Sequence, residues 1–299
     1  MANILPKEKQ IEVLHHLIEG NTLRSTTRLR GVHRTTIQNL MVRFGRQCKL
    51  LMDRDLRGLE LGHVEVDEVW TFCGKKQARL TTKERAERCD IGDIYVWSTI
   101  DQQTRLIPSH IVGKRSADNA RRLMMDLASR LVLPKPGSSD RHAYENHDFE
   151  PVVQISTDGF AAYPEAVDLA FGPFATFGTI IKEYRNAGMQ YDPSEMVGTK
   201  RNARKGEIDL WSICTSHIER NNLTLRTLLK RFTRLSLGFS KKLANLETAV
   251  ATYVAYYNYV WRCRMPGNSG RYRVPAAMAA GITDRLWSFP DLYEAAMAA

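Results

Sequence analysis

The chain has no paired cysteines, no long apolar run and no surplus of the residues that interrupt structure. Its five cysteines, Cys48, Cys73, Cys89, Cys214 and Cys263, are odd in number and widely spaced with no C-x-x-C pair. That pattern points away from a disulfide framework or zinc ribbon and predicts reduced, mostly buried thiols. No window approaches the roughly 18 apolar residues of a transmembrane helix, and the opening MANILPKEKQ has no apolar secretory stretch, so a cytoplasmic location is expected. Nineteen Gly and 11 Pro among 299 residues are ordinary usage, and 43% hydrophobic content allows a core, which argues against disorder. The length suits two domains, or one large domain with an appendage.

What the chain does have is positive charge, a formal +10 at pH 7, and that favours a polyanionic partner, most often nucleic acid. The excess is localised. Residues 1–63 carry a net +5, residues 64–215 a net −2, residues 216–264 a net +7, and residues 265–299 are neutral. Two basic zones flanking an acidic one suggest a protein that grips a polyanion around a site for cations.

In the first basic zone, Ile11, Leu14 and Ile18 recur at helical spacing between Pro6 and Gly20. With Asn21 as its cap, TLRSTTRLR predicts a short second helix. Gly31 supplies a turn, and HRTTIQNLMVRFGRQ predicts a third helix with Ile37, Leu40, Met41 and Phe44 on one face. This is a helix-turn-helix layout over residues 1–60, with Arg34, Thr35, Gln38 and Asn39 on the exposed face where side chains reach bases or phosphates. The plainer reading is a three-helix cap with a solvated basic face.

In the middle block, LGHVEVDEVWTFCG predicts a strand whose alternation sets Glu65 and Asp67 opposite Val64 and Val66. A carboxylate inside a β-branched stretch needs a partner or a metal. DIYVWSTID and RLIPSHIVG predict a hairpin turning at DQQT, and SADNARRLMMDLASRLVL a helix ended by Pro134. PVVQISTDGF predicts a strand ending at Asp158, and FGTIIKEY another, followed by a charged connection bearing Lys200, Arg201, Arg204 and Lys205. This order fits an α/β, RNase H-like domain over residues 61–264: a mixed sheet flanked by helices, its first and fourth strands adjacent. Asp67 and Asp158 then become neighbours. Glu65 and Glu68 read as a solvated face with a secondary ligand candidate, His217 as a surface or capping residue, and Trp70 and Trp97 as core.

In the second basic zone, SHIERNNLTLRTLLKRF places Glu219, Asn222 and Arg226 on one helix face, among Arg220, Lys230 and Arg231. A lone acid opening so basic a helix is either a capping residue or a metal ligand. LANLETAVATYVAYYNYVWRCR predicts a further helix with a Tyr-rich core face. Residues 265–299 predict a flexible connection and a short helical tail that could serve contacts between copies.

The stretch HIERNNLTLRTLLKRF, continuing to GFSKKL, resembles the C-terminal signature of the insertion-sequence-one transposases, and VEVDEVWTFCGKK and STDGFAAY are similar to that family's two aspartate motifs. The resemblance covers roughly residues 64–262. It implies a DDE transposase with an RNase H-like catalytic domain, a prokaryotic nucleoid-associated protein in which Asp67, Asp158 and Glu219 match the catalytic and metal-binding triad. Its cofactors would be two Mg²⁺ or Mn²⁺ ions per site. Its partners would be element-end and target DNA, held by Arg34, Thr35, Gln38, Asn39, Lys200, Arg201, Arg204, Lys205, Arg220, Asn222, Arg226, Lys230 and Arg231, and a second copy of the chain, since two ends must be brought together. One departure is that no paired Cys or His spacing marks the N-terminal zinc module common in the family. The competing reading is a non-catalytic, sequence-specific DNA-binding regulator derived from a transposase; a hybrid-cutting ribonuclease would have no use for the N-terminal block.

Overall fold

The computed structural model describes residues 4–133, 151–185, 195–233, 236–263 and 273–299. Three helices come first, α1 (Lys7–Ile18), α2 (Leu23–Arg30) and α3 (Arg34–Asp55). The Thr22 hydroxyl, one residue later than the expected Asn21, caps α2 by accepting the Ser25 N–H at 3.0 Å. Gly31 ends α2 at φ 63°, a left-handed position that favours glycine.

Six strands follow: β1 (His63–Cys73), β2 (Gly92–Asp101), β3 (His110–Gly113), β4 (Val153–Thr157), β5 (Ala175–Arg185) and β6 (Glu195–Lys205). They form one sheet in the order β3-β2-β1-β4-β5-β6. β1, β2 and β3 make an antiparallel meander, β4 and β5 run parallel to β1, and β6 returns antiparallel. This mixed sheet, with helices on both faces and a helical N-terminal region, sets the first strand beside the fourth, the adjacency expected from the sequence.

The helices that complete the fold are α4 (Thr82–Glu87), α5 (Ala117–Arg130), α6 (Tyr163–Phe171), α7 (Ser216–Leu228), α8 (Leu243–Tyr259), α9 (Ala276–Ala279) and α10 (Phe289–Met297). The alternation of β1 decides which side chain meets which layer. Glu65 and Asp67 face α7, where their hydrogen-bond partners lie, whereas Glu68 meets Tyr163 of α6 on the opposite face.

Several boundaries differ from those expected. The third strand starts at His110; Arg105 lies in the hairpin turn at φ 64°, and Asp101 and Thr99 donate to the Leu106 and Ser109 carbonyls across the hairpin. The helix predicted to run to residue 133 ends at Arg130; Pro134 lies outside the described residues. The charged connection after β5 is a strand, β6. Trp97 is core, but Trp70 is 45% exposed, a correction forced by its place on the open edge of the long β1–β2 ribbon.

The N-terminal helices and the sheet share one apolar cluster that includes Phe44, Trp97, Tyr253 and Phe289. α3 packs along α8, and α10 lays Phe289 and Tyr293 against Phe44 at ring separations of 6.0 and 5.7 Å. The helical tail is thus folded onto α3, and residues 264–272 before it lie outside the described residues. All five cysteines are free, with Cys48, Cys73 and Cys263 buried. Among the described residues no helix is long and apolar enough to cross a membrane.

Candidate functional site

Register builds the site. Glu65 pairs with Ser156 at the end of the parallel β1–β4 contact, so Asp67, two residues on, and Asp158, just past the end of β4, leave that contact side by side. Asp67, Glu68 and Asp158 can each offer one oxygen within 4.8 Å of the others. The Glu68 side chain, 3% exposed, accepts the Tyr163 hydroxyl proton at 2.7 Å. Asp67 accepts the Glu68 N–H at 2.8 Å and the Asn222 amide at 2.7 Å. Asp158 accepts the Phe160 N–H at 2.9 Å and lies 3.3 Å from the Arg115 guanidinium.

Burial, then the charges of Asp158 and Glu219, push the Asp67 carboxyl up to about 6, against a hydrogen bond that lowers it. Burial and Asp158 push Glu68 up to about 7. Several acids crowded this way resist ionising together and would be relieved by a cation.

Glu219 approaches from the first turn of α7, but among the described residues it does not join the close carboxylate group. Its carboxylate pairs with Lys182 of β5 and accepts the Thr215 hydroxyl proton at 2.6 Å. The sequence reading thus brings Asp67 and Asp158 together, while the acid in closest company with them is Glu68.

Two further expectations are corrected here. Glu65 is 0% exposed, not solvated: it accepts N–H groups from His217 at 2.9 Å and Ile218 at 3.0 Å, and the His217 ring nitrogen Nδ1 lies 2.5 Å away. Thr215, at the cap position of α7, provides no side-chain cap, so a strand residue caps this helix. Burial alone would raise Glu65, yet its hydrogen bonds with His217 and Ile218 hold it below the usual carboxylate range. A hydrogen bond with Cys214, and then Glu65, raise His217 to about 9. The residue read as a surface histidine is therefore the partner of a buried acid.

The residues expected to touch DNA divide into several groups. Arg34, Thr35 and Asn39 are exposed and Gln38 half-buried at the start of α3. Arg34 and Gln38 line a cleft of about 670 Å³ together with Lys230 and Arg231, so the two basic zones converge. Arg231 nevertheless points inward, donating to Ser240 Oγ at 2.7 Å and Met41 Sδ at 3.2 Å. On β6, Lys200 is exposed, Arg201 donates to the Ile213 carbonyl at 3.0 Å, Arg204 to Thr179 Oγ1 at 3.3 Å, and Lys205 pairs with Asp168. Arg220 is exposed and Arg226 half-buried. Asn222, expected as a DNA contact, is 5% exposed and donates its amide to Asp67 at 2.7 Å.

Residues 194–260, which contain β6, α7 and α8, match the family model described as IS1 transposase. No curated protein matches the chain. Among solved structures, the chain is similar to a pre-cleavage Mos1 transpososome at 11% identity, covering 59% of this chain and 60% of that one with a TM-score of 0.23. It is similar to the Mos1 mariner paired-end complex with Mn at 13% identity over 57% and 60%, TM-score 0.20, and to the Mos1 strand transfer complex at 14% over 56% of each chain, TM-score 0.19. The chain thus spans about 60% of the length of the first of these.

Proposed function

We propose that this chain is a DNA transposase of the DDE type, cutting the ends of a mobile element and joining them to target DNA. The observation that carries this reading is the meeting of Asp67 and Asp158, 91 residues apart in sequence, beneath the helix whose segment matches the IS1 transposase model.

The donor set suits Mg²⁺ or Mn²⁺. Its ligands are carboxylate oxygens, which hard cations prefer, and Asn222 Oδ1 is a buried oxygen with no partner beside Asp67. Asp67, Asp158 and Glu219 would hold the ions, with Glu68 as a further oxygen donor. A bound pair of ions supplies activation of the attacking oxygen and stabilisation of the leaving one. The chain's own residues do the rest. Asn222 and the Glu68 N–H orient Asp67, and the Phe160 N–H fixes Asp158. Arg115 and Lys182 add positive charge where a phosphodiester must lie among carboxylates. Arg34, Thr35, Gln38 and Asn39 on α3, with exposed Lys200 and Arg220, would hold the flanking duplex in a salt-dependent way. A dimer or larger assembly would bring two ends together.

The test is incubation with a labelled element-end duplex and Mg²⁺ or Mn²⁺. A transposase nicks and joins the duplex, whereas a regulator only retards it.

The raised acids also give a pH signature. Because Asp67 and Glu68 titrate above their unfolded values, the folded chain binds more protons between about pH 4 and 7. In chelator its stability should therefore fall as pH rises through that window, by up to about 1.4 kcal/mol per unit for each group. Mn²⁺ binds the ionised form, so it should raise the melting temperature more near pH 8 than near pH 5. Equal increments at the two pH values would count against a metal on these carboxylates.

A further inference from the structure

We propose that Trp211 is a stacking platform for a nucleobase near the phosphodiester that is cut, an inference resting on the DNA-cutting function proposed above. The Trp211 indole is 81% exposed on a short turn between β6 and α7. The turn is braced: Asp209 accepts the Trp211 N–H at 3.0 Å, and Gln154 of β4 donates to Ser212 Oγ at 2.8 Å. The Arg201 guanidinium stands 5.2 Å from the indole ring centre. A rigid exposed aromatic ring beside a cation is the arrangement that unpaired bases use, since every base offers a π-face and its phosphate a negative charge.

Register places the ring's cation, Arg201, in line with the end of β4 that leads into Asp158. Thr157 pairs with Thr179, so Asp158 is level with Ile180, and Ile180 pairs with Arg201. Ile180 and Arg201 therefore lie level with the residue that follows the end of β4, which is Asp158, with Lys182 two residues further along β5. Arg201 is two strand spacings, roughly 10 Å, from the strand of Asp158. At about 3.4 Å of rise per nucleotide, a strand whose phosphate sits at the carboxylates reaches Arg201 within about three nucleotides, and Trp211, whose turn is bonded to Gln154 four residues (roughly 13 Å) back along β4 from Asp158, within about three to five.

The test is binding of a short single-stranded oligodeoxynucleotide carrying a fluorescent adenine analogue, measured on the full chain in chelator. Trp211→Ala should weaken binding about 5- to 100-fold and remove the quenching that stacking causes, while Trp211→Phe stays close to wild type. Equal binding by wild type and Trp211→Ala overturns the proposal, as does a loss in Trp211→Phe as deep as in Trp211→Ala. Because no strand is cut in this assay, its failure is separable from that of the cutting reading, which would show as scission persisting in Asp67→Asn.

Discussion

Asp67→Asn and Asp158→Asn should each lower strand cleavage and joining on the order of 10³-fold or more, with DNA retention in a gel unchanged. Each removes one negative charge from the carboxylate group without changing its shape, so the site loses its hold on cations. For Asp67 a second change should accompany the first. Its ionised form is disfavoured by burial and by neighbouring acids, so the Asn variant should melt at the same or a higher temperature than wild type in chelator. Lost activity with retained or increased stability is the mark of a functional residue that strains the fold. A variant with near-wild-type joining would remove the assignment. Glu219→Gln and Glu68→Gln, assayed in parallel, decide which acid accompanies the two aspartates, since the DDE pattern points to Glu219 and the packing to Glu68.

The largest stability effect should come from Glu65→Ala. The substitution leaves two helix N–H groups and a charged His217 without their acceptor in a buried place, a loss of about 3–5 kcal/mol. For a chain of this size that corresponds to a fall in melting temperature on the order of 10 °C. Glu65→Gln keeps one acceptor oxygen and should lose less. The pair has a defined pH range. His217 titrates above its unfolded value, so its contribution is full below about 6.5 and is lost as pH rises through about 9. Glu65 titrates below its unfolded value, so its contribution is lost in acid. Thermal denaturation of both variants across pH checks this, and a Glu65→Ala loss under about 1 kcal/mol would show that α7 needs no such cap.

Much of the fold was legible because its signals are local. Val64 and Val66 alternate with acids, DQQT separates two β-rich runs, and Leu123, Met124 and Leu127 repeat at helical spacing. β6 was not legible, since Glu195–Lys205 is exposed or half-exposed along its whole length and carries no alternation; only its pairing with β5 makes it a strand. At the site, Asp67 and Asp158 could be matched because strand order alone brings them level. Glu65 could not, because its burial depends on a helix start 152 residues away and nothing next to it in sequence distinguishes it from a solvated acid. A usable clue was the weak cap of α7, where TSHIER offers Thr215 and Ser216 yet neither holds the helix end. Glu68 reads from sequence as no more than part of a solvated face with a secondary ligand candidate, for the opposite reason: adjacent residues on a strand normally point apart, and here two successive carboxylates reach a common point.

The packing of α3 against α8 and α10 bears on synthesis. About 190 residues separate the end of α3 from the start of α8, which at ~5–20 residues per second is roughly 10–40 s of translation. Throughout that interval the apolar face of Phe44, Cys48 and Leu51 lacks its eventual cover. These helices leave the ribosome long before they are sealed, and nascent chains halted before residue 243 should be the species that chaperones and proteases capture.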